Sequence, residues 1–249
     1  TFTDYLLHDP HGGTRVHKVL STPADPSIAV VTGLAELAAM VDHGRGVESF
    51  VASIETIVHG TTVATNATLT GTGAKSALLT TEGIRDALEM RRGIREEQYN
   101  NAYTNVKPLV PRYLRAGVKG RLDRAGREIA PLDLAGIDAA IAEFRREGVE
   151  AVSICFMNSH ANPAHEAAAA ERVRAAMPDA FLTVSSTLLP SIRFYERVST
   201  TALNSYVGPK LNHYLDQLVG RLKGIGFKNL LLIMQSNGGV ITPQLAREK

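Results

Sequence analysis

Two short polar segments of the chain contain residue types that bind anions or carbonyl groups. The first covers residues 59–66 (HGTTVATN) and follows the apolar run Ile54 to Val58. A Gly-Thr-Thr turn that leads into a helix offers backbone N–H groups and hydroxyls to an anion or a carbonyl oxygen. Helix capping by Thr61 or Thr62, with His59 satisfied locally, explains the same residues equally well. Both readings stay open from spacing alone.

The second segment covers residues 235–239 (QSNGG) and follows the apolar run Leu230 to Met234. Its side chains donate and accept hydrogen bonds, and the two glycines permit close backbone approach to a ligand. A plain strand-ending turn is the alternative, and the sequence alone favours it. In open α/β sheets, ligands bind at the carboxyl ends of strands, which is where both segments are expected.

Three other groups of reactive side chains are interpreted as structural from their sequence context. Cys155 lies in an apolar run, which predicts a buried, inert thiol. His165 and Glu166 follow Asn162-Pro163 at a predicted helix start, so helix capping is favoured over a metal site. The charged segment 91–97 (RRGIREE) contains Arg91, Arg92 and Arg95 and is interpreted as a solvated face, with an anion-contacting pair as the alternative.

The elements that must position these residues alternate between strands and helices, which predicts an α/β layered fold. A hairpin is expected from Phe2 to Leu20, so that the first sheet is mixed. Residues 91–132 lack a clear period and are interpreted as an insertion. The other expected strands are Ile54–Val58, Ser76–Leu79, Ala151–Phe156, Phe181–Val184 and Leu230–Met234. The expected helices cover 27–42, 63–70, 82–90, 134–146, 163–177 and 198–222.

Composition narrows the class of protein. The chain has 249 residues, with 27 Lys and Arg against 25 Asp and Glu, and the net charge of +2 gives no reason to expect a nucleic-acid partner. The single cysteine fits a reducing compartment, and no apolar run approaches the roughly 20 residues that span a bilayer. A cytoplasmic protein is expected. Because the sequence opens without Met, it is interpreted as a piece of a longer polypeptide.

Taken in order, several strings of the chain resemble the hydantoinase A/5-oxoprolinase family, which includes large subunits of acetone- and acetophenone-type carboxylases. The similar strings are TFTD at 1–4, STPADP at 21–26, HGTTVATN at 59–66, NPAHE at 162–166, YERVSTT at 195–201, NSYVGP at 204–209 and MQSNGG at 234–239. The resemblance covers essentially the whole chain.

The resemblance implies an actin/sugar-kinase/Hsp70-like (ribonuclease H-like) ATPase fold with a mixed sheet and flanking helices, here incomplete. Residues 1–190 would form the amino-terminal lobe, and residues 191–249 a long helix and the start of the second lobe. It also implies ATP and Mg²⁺ or a similar ion, and ATP-dependent activation of a carbonyl. The substrate would be a cyclic amide, or a ketone in the carboxylase branch. A B-type partner subunit and an oligomer are expected, and a non-catalytic fragment that docks such a partner is the third reading.

The resemblance also implies roles for single residues. His59, Thr61, Thr62 and Asn66 become candidates for the region of the carbonyl substrate or γ-phosphate. The candidates for ATP-phosphate and metal-water contacts are Thr1, Thr3, Asp4, Ser236, Asn237, Gly238 and Gly239.

Overall fold

The computed structural model describes residues 2–10, 12–41 and 46–248, and Thr1 lies outside the described residues. The chain forms two compact units. The first contains Thr1–Thr65 and Lys210–Lys249, and the second contains Asn66–Pro209. The lobe boundary expected near residue 190 concerns a longer polypeptide and stays a prediction. Within this chain, residue 190 lies inside the second unit.

The described residues form helices and strands in alternation. The helices are α1 (Pro26–Val41), α2 (Val47–Ser53), α3 (Val63–Leu69), α4 (Ala87–Met90), α5 (Leu134–Arg146), α6 (Ala164–Ala176), α7 (Ser185–Leu188), α8 (Phe194–Gly224) and α9 (Pro243–Glu248). The strands are β1 (Phe2–Asp9), β2 (Gly13–Leu20), β3 (Thr56–His59), β4 (Ser76–Thr81), β5 (Arg115–Val118), β6 (Arg121–Leu122), β7 (Glu128–Ala130), β8 (Ala151–Cys155), β9 (Phe181–Val184), β10 (Leu230–Met234) and β11 (Val240–Ile241).

The second unit is built on a four-stranded parallel sheet in the order β5-β4-β8-β9. Every residue of β4 and β8 is buried, as expected for central strands of a parallel sheet covered on both faces. Helix α5 presents Ile137, Ile141 and Phe144 to this core at helical spacing. It begins where Asp133 Oδ1 accepts from Gly136 N at 3.0 Å, and the chain leaves it through Gly148 with φ +66°.

The first unit contains the antiparallel hairpin β1-β2 and a separate mixed sheet in the order β11-β10-β3. Its core joins α1 and α2 to the last turns of α8, where Leu215, Leu218 and Leu222 are buried at spacings of three and four. The ring of Tyr5 lies so close to α1 that a Cβ at Gly33 would stand 2.3 Å from it. Gly33 therefore permits the hairpin to pack on this helix.

The STPADP string marks the start of α1, as predicted. Pro26 is the first helical residue, and the Asp25 carboxylate accepts from Ser27 N at 3.0 Å. Arg221 of α8 reaches this cap and donates to Asp25 Oδ2 at 2.6 Å. The string therefore ties the first helix of the unit to its last long helix.

Several predicted elements differ from the observed ones. Residues 82–90 were expected to be helical throughout, but α4 has only four residues and follows a series of turns. Helix α2 was not expected. The predicted initial mixed sheet is instead a hairpin with its own pairing, and the mixed sheet lies elsewhere in the unit.

The segment 91–132 also contains more order than its composition suggested. Strand β5 pairs with β4 in parallel, and Arg115 and Val118 are buried at the edge of the sheet. This part of the segment therefore belongs to the core of the unit.

Among the described residues, no helix is long and apolar enough to cross a membrane.

Candidate functional site

Both polar turns predicted from the sequence follow neighbouring strands of the first unit. β3 and β10 are parallel, and His59 at the end of β3 is in register with Ile233, one residue before the end of β10. Parallel strands lie about 4.8 Å apart. The segments that follow His59 and Met234 therefore begin at the same edge of one sheet, which is where ligands bind in open α/β sheets.

His59 makes its closest contact with a tyrosine that the sequence analysis did not identify. Its Nε2 lies 2.6 Å from the hydroxyl of Tyr214 on α8, and the two ring centroids are 5.8 Å apart. His59 is half-buried and Tyr214 is buried. Burial lowers the pKa of His59 to about 4, so the imidazole is neutral at pH 7.

Thr61 belongs to the same cluster. Its Oγ1 accepts from Val63 N at 3.3 Å, and its side chain lies near enough to Tyr214 to affect the pKa of the tyrosine. Burial raises the pKa of Tyr214 to about 12, although Thr61 opposes this shift. The turn after β3 is thus fixed by side-chain contacts to α8 as well as by its own backbone.

Thr62 and Asn66 are exposed. Thr62 directly precedes α3, and Asn66 lies within it, where its carbonyl accepts from Thr70 N at 2.9 Å. The division between the compact units falls just before Asn66. The structure therefore gathers His59 and Thr61 around Tyr214, whereas the association of Asn66 with them stays a prediction.

The QSNGG segment is a tight hairpin turn between β10 and β11. Gln235 N donates to the Gly239 carbonyl at 2.8 Å, and Gly239 N donates to Asn237 Oδ1 at 2.8 Å. Gly238 has φ +84°, which favours glycine. Ser236 and Asn237 are exposed, so this strand-ending turn still presents polar groups at its surface.

The residues predicted on the first strand are held within the hairpin. Thr3 shares a hydrogen bond of 3.0 Å with Ser21, and Asp4 forms an ion pair of 2.9 Å with Lys18. Both partners of this ion pair are largely exposed. Thr1 lies outside the described residues. The phosphate and metal-water roles of these residues stay predictions.

Two residues of the NPAHE string lie in the interior of the second unit. Glu166 was expected to cap a helix, but it is fully buried and accepts from Phe156 N, from the Ser185 hydroxyl and from Ser186 N at 2.6–2.8 Å. His165 is also buried and lies 2.6 Å from Glu128. The capping prediction was wrong because a first-turn carboxylate faces inward here and binds neighbouring loops.

The charged segment near residue 91 forms ion pairs rather than a purely solvated face. Arg91 pairs with Glu96, and Arg92 lies 2.6 Å from Glu196. Glu196 belongs to the YERVSTT string. This string therefore contacts the segment that follows α4.

The polar side chains on the two turns of the first unit are of the types that bind phosphate groups. Hydroxyl and amide side chains are exposed on both turns, at Thr62, Ser236 and Asn237. Among the described residues, no group of three or more His, Cys, Asp or Glu side chains could hold a metal ion.

Comparison with known proteins places the chain in a family. Residues 1–177 match the hydantoinase/oxoprolinase N-terminal region, and residues 197–249 match the hydantoinase/oxoprolinase family model. The chain is 40% identical to the caprolactamase subunit alpha of Pseudomonas jessenii, over 100% of this chain and 36% of that subunit. It is 29% identical to the acetophenone carboxylase gamma subunit of Aromatoleum aromaticum, over 96% of this chain and 34% of that subunit.

Solved structures agree with these relatives. The ATP-dependent caprolactamase of Pseudomonas jessenii superimposes with a TM-score of 0.90 at 40% identity, over 98% of this chain and 35% of that chain. Nucleotide-free acetone carboxylase superimposes with a TM-score of 0.85 at 26% identity, over 99% of this chain and 37% of that chain. The chain spans about a third of the length of these relatives. By family models and by similarity to relatives, it belongs to the hydantoinase/oxoprolinase family.

Proposed function

We propose that the protein acts as a subunit of an ATP-dependent hydrolase of cyclic amides. The observation that carries this proposal is the 40% identity to a caprolactamase subunit along the whole chain. Identity to the acetone carboxylase beta subunit of Xanthobacter autotrophicus is 24% over 97% of the chain. The identity to the caprolactamase subunit is higher than the 29% identity to the acetophenone carboxylase gamma subunit as well, and this favours amide hydrolysis.

The polar edge of the first unit supports carbonyl activation. A buried tyrosine, a neutral histidine and a threonine hydroxyl meet after β3, at His59, Thr61 and Tyr214. Neutral donors in a partly dry site stabilise negative charge that develops on an oxygen, because water competes with them less. His59, Thr61, Thr62 and Asn66 are proposed to contact the carbonyl group or the phosphate that it receives.

ATP would transfer its γ-phosphoryl group to the amide oxygen and leave as ADP. Water would then add to the activated carbon, the C–N bond of the ring would break as the nitrogen takes a proton, and a second water would release phosphate from the remaining acyl phosphate. Phosphoryl transfer relies mainly on positioning and charge stabilisation. Thr1, Thr3 and Asp4 on the hairpin, and Ser236, Asn237, Gly238 and Gly239 on the QSNGG turn, are proposed to hold phosphates or metal-bound water. The proposal also includes an actin-like ATPase fold in the longer polypeptide, Mg²⁺ and a B-type partner subunit.

Carboxylation of a ketone is the second candidate. Its support is the likeness to acetone carboxylase, with a TM-score of 0.85 over 99% of this chain. Both reactions activate a carbonyl with ATP, so the fold of this part does not separate them.

The test is to express the native protein with its neighbouring genes and to incubate it with ATP and Mg²⁺. The substrates are ε-caprolactam, 5-oxoproline, hydantoin, and acetone with or without bicarbonate. We expect ADP release that is coupled to ring opening of a cyclic amide and that does not need bicarbonate. Ring opening is measured by chromatography of the amino acid product. Consumption of acetone only when bicarbonate is present would replace the proposal with the carboxylase function.

A further inference from the structure

We propose that Tyr214 is a positioning residue that fixes His59 as the imidazole tautomer with its proton on Nδ1. Tyr214 is 4% exposed, and its hydroxyl lies 2.6 Å from His59 Nε2. The two residues are separated by 155 positions in sequence. The contact therefore depends on the fold of the first unit, in which α8 brings Tyr214 to the end of β3.

The direction of the hydrogen bond follows from the chemistry of the two groups. A phenol O–H is a stronger donor than an imidazole N–H, and the buried Tyr214 hydroxyl has His59 Nε2 as an acceptor at 2.6 Å. The tyrosine proton therefore points to His59 Nε2. An imidazole nitrogen that accepts carries no proton, so the ring proton of neutral His59 resides on Nδ1.

The protonation states of both rings agree with this direction. Burial keeps His59 neutral at pH 7, with its pKa near 4, and a neutral ring has one donor and one acceptor nitrogen. The buried Tyr214 keeps its proton, since its pKa is raised to about 12. Burial, and to a lesser degree the neighbouring Tyr214, also raises the pKa of Tyr5, whose hydroxyl donates to the Ala29 carbonyl at 2.6 Å.

The tautomer determines what His59 can do in the reaction. With Nε2 occupied by Tyr214, the remaining nitrogen is an N–H donor and has no lone pair for a proton. In that role, which rests on the proposed function, His59 binds a carbonyl or phosphate oxygen as a hydrogen-bond donor and is not a general base. The tautomer itself is a property of the folded chain and does not depend on the substrate.

The experiment is ¹⁵N-histidine NMR of the native protein at pH 7, with long-range ¹H–¹⁵N correlations that identify the tautomer. The chain has eight histidines, and His59→Gln assigns the signal. We expect the Nδ1–H form in the wild type and a shift towards the Nε2–H form in Tyr214→Phe. Tyr206→Phe is the matched control, because Tyr206 is a buried tyrosine of the same helix, and it should leave the signal unchanged.

An Nε2–H signal in the wild type would overturn the inference without any variant, as would an unchanged tautomer in a folded Tyr214→Phe protein. Turnover is measured in parallel. We expect kcat of Tyr214→Phe to fall roughly tenfold with KM nearly unchanged, as for other residues that orient an active group. The tautomer is read without substrate, so an absence of cyclic-amide hydrolysis in the wild type would remove the proposed function and leave the Tyr214 assignment to the NMR result.

Discussion

Glu166 and Arg197 bind opposite ends of one residue's backbone in the interior of the second unit. Glu166 Oε1 accepts from Phe156 N at 2.8 Å, and Arg197 Nη2 donates to the Phe156 carbonyl at 2.6 Å. Both charged side chains are fully buried. They hold the chain where it leaves β8. Glu166 belongs to the NPAHE string and Arg197 to the YERVSTT string, so two family strings meet at this residue.

Removal of the Glu166 carboxylate should therefore destabilise the protein strongly. Glu166→Ala leaves Phe156 N, the Ser185 hydroxyl and Ser186 N without their acceptor, and each buried donor costs about 1–3 kcal/mol. We expect a loss of at least about 3 kcal/mol in the free energy of unfolding, measured by urea denaturation. Glu143→Ala is the control, because Glu143 pairs with Arg146 on the surface of α5 and should lose less than about 1 kcal/mol. Equal losses in the two variants would contradict the buried-network interpretation.

Cys155 should be unreactive in the folded protein. Burial raises its pKa to about 11 from 9.0, which leaves about a hundredfold less thiolate at pH 8 than an ordinary cysteine has. Labelling with a thiol reagent, read by mass spectrometry of the peptide that contains Cys155, reports on this thiol. We expect labelling to be at least about a hundredfold slower in native protein than in urea, and Cys155→Ser to keep most of the turnover. Rapid labelling of native protein would show that the thiol is accessible.

The sequence predicted the strands better than the side-chain contacts. Strands β9 and β10 and helix α5 have the predicted bounds, because short apolar runs between turn residues and a regular helical period are local signals. The short strand β5 was missed, since Arg115 and Gly117 disguise it and its pairing with β4 is not local. Composition does not reveal an edge strand that is fixed by its neighbour.

The same limit applies to the site. His59 and Thr61 were predicted from a glycine-containing turn after an apolar strand, and both lie at the end of β3. Tyr214 was missed because an aromatic residue in the apolar stripe of a helix looks like any core residue. The signal was its hydroxyl, since a buried tyrosine oxygen needs a polar partner. Glu166 was misread because a first-turn glutamate has the same sequence pattern whether it faces solvent or the core.

Loss of either proposed contact group should lower turnover. We expect His59→Ala or Asn66→Ala to reduce kcat by on the order of a hundredfold in cyclic-amide hydrolysis, as removal of a polar transition-state contact does. The assay is coupled ADP release with the native protein. His213→Ala, an exposed histidine on α8 beside Tyr214, is the control and should retain wild-type turnover. Full activity of folded His59→Ala would remove His59 from the site.

The depressed pKa of His59 also predicts how stability changes with pH. The folded pKa is about 4 because burial disfavours the charged ring, whereas the unfolded ring titrates near 6.5. Between these values the unfolded state binds more protons, so His59 makes the folded state progressively less stable as the pH falls from about 6.5 to 4. The contribution amounts to about 3 kcal/mol at most. In urea denaturation across this range, His59→Gln should lack this part of the pH dependence, whereas His213→Ala should retain it. If His59→Gln and the wild type lose stability in parallel on acidification, the imidazole is not held neutral by the fold.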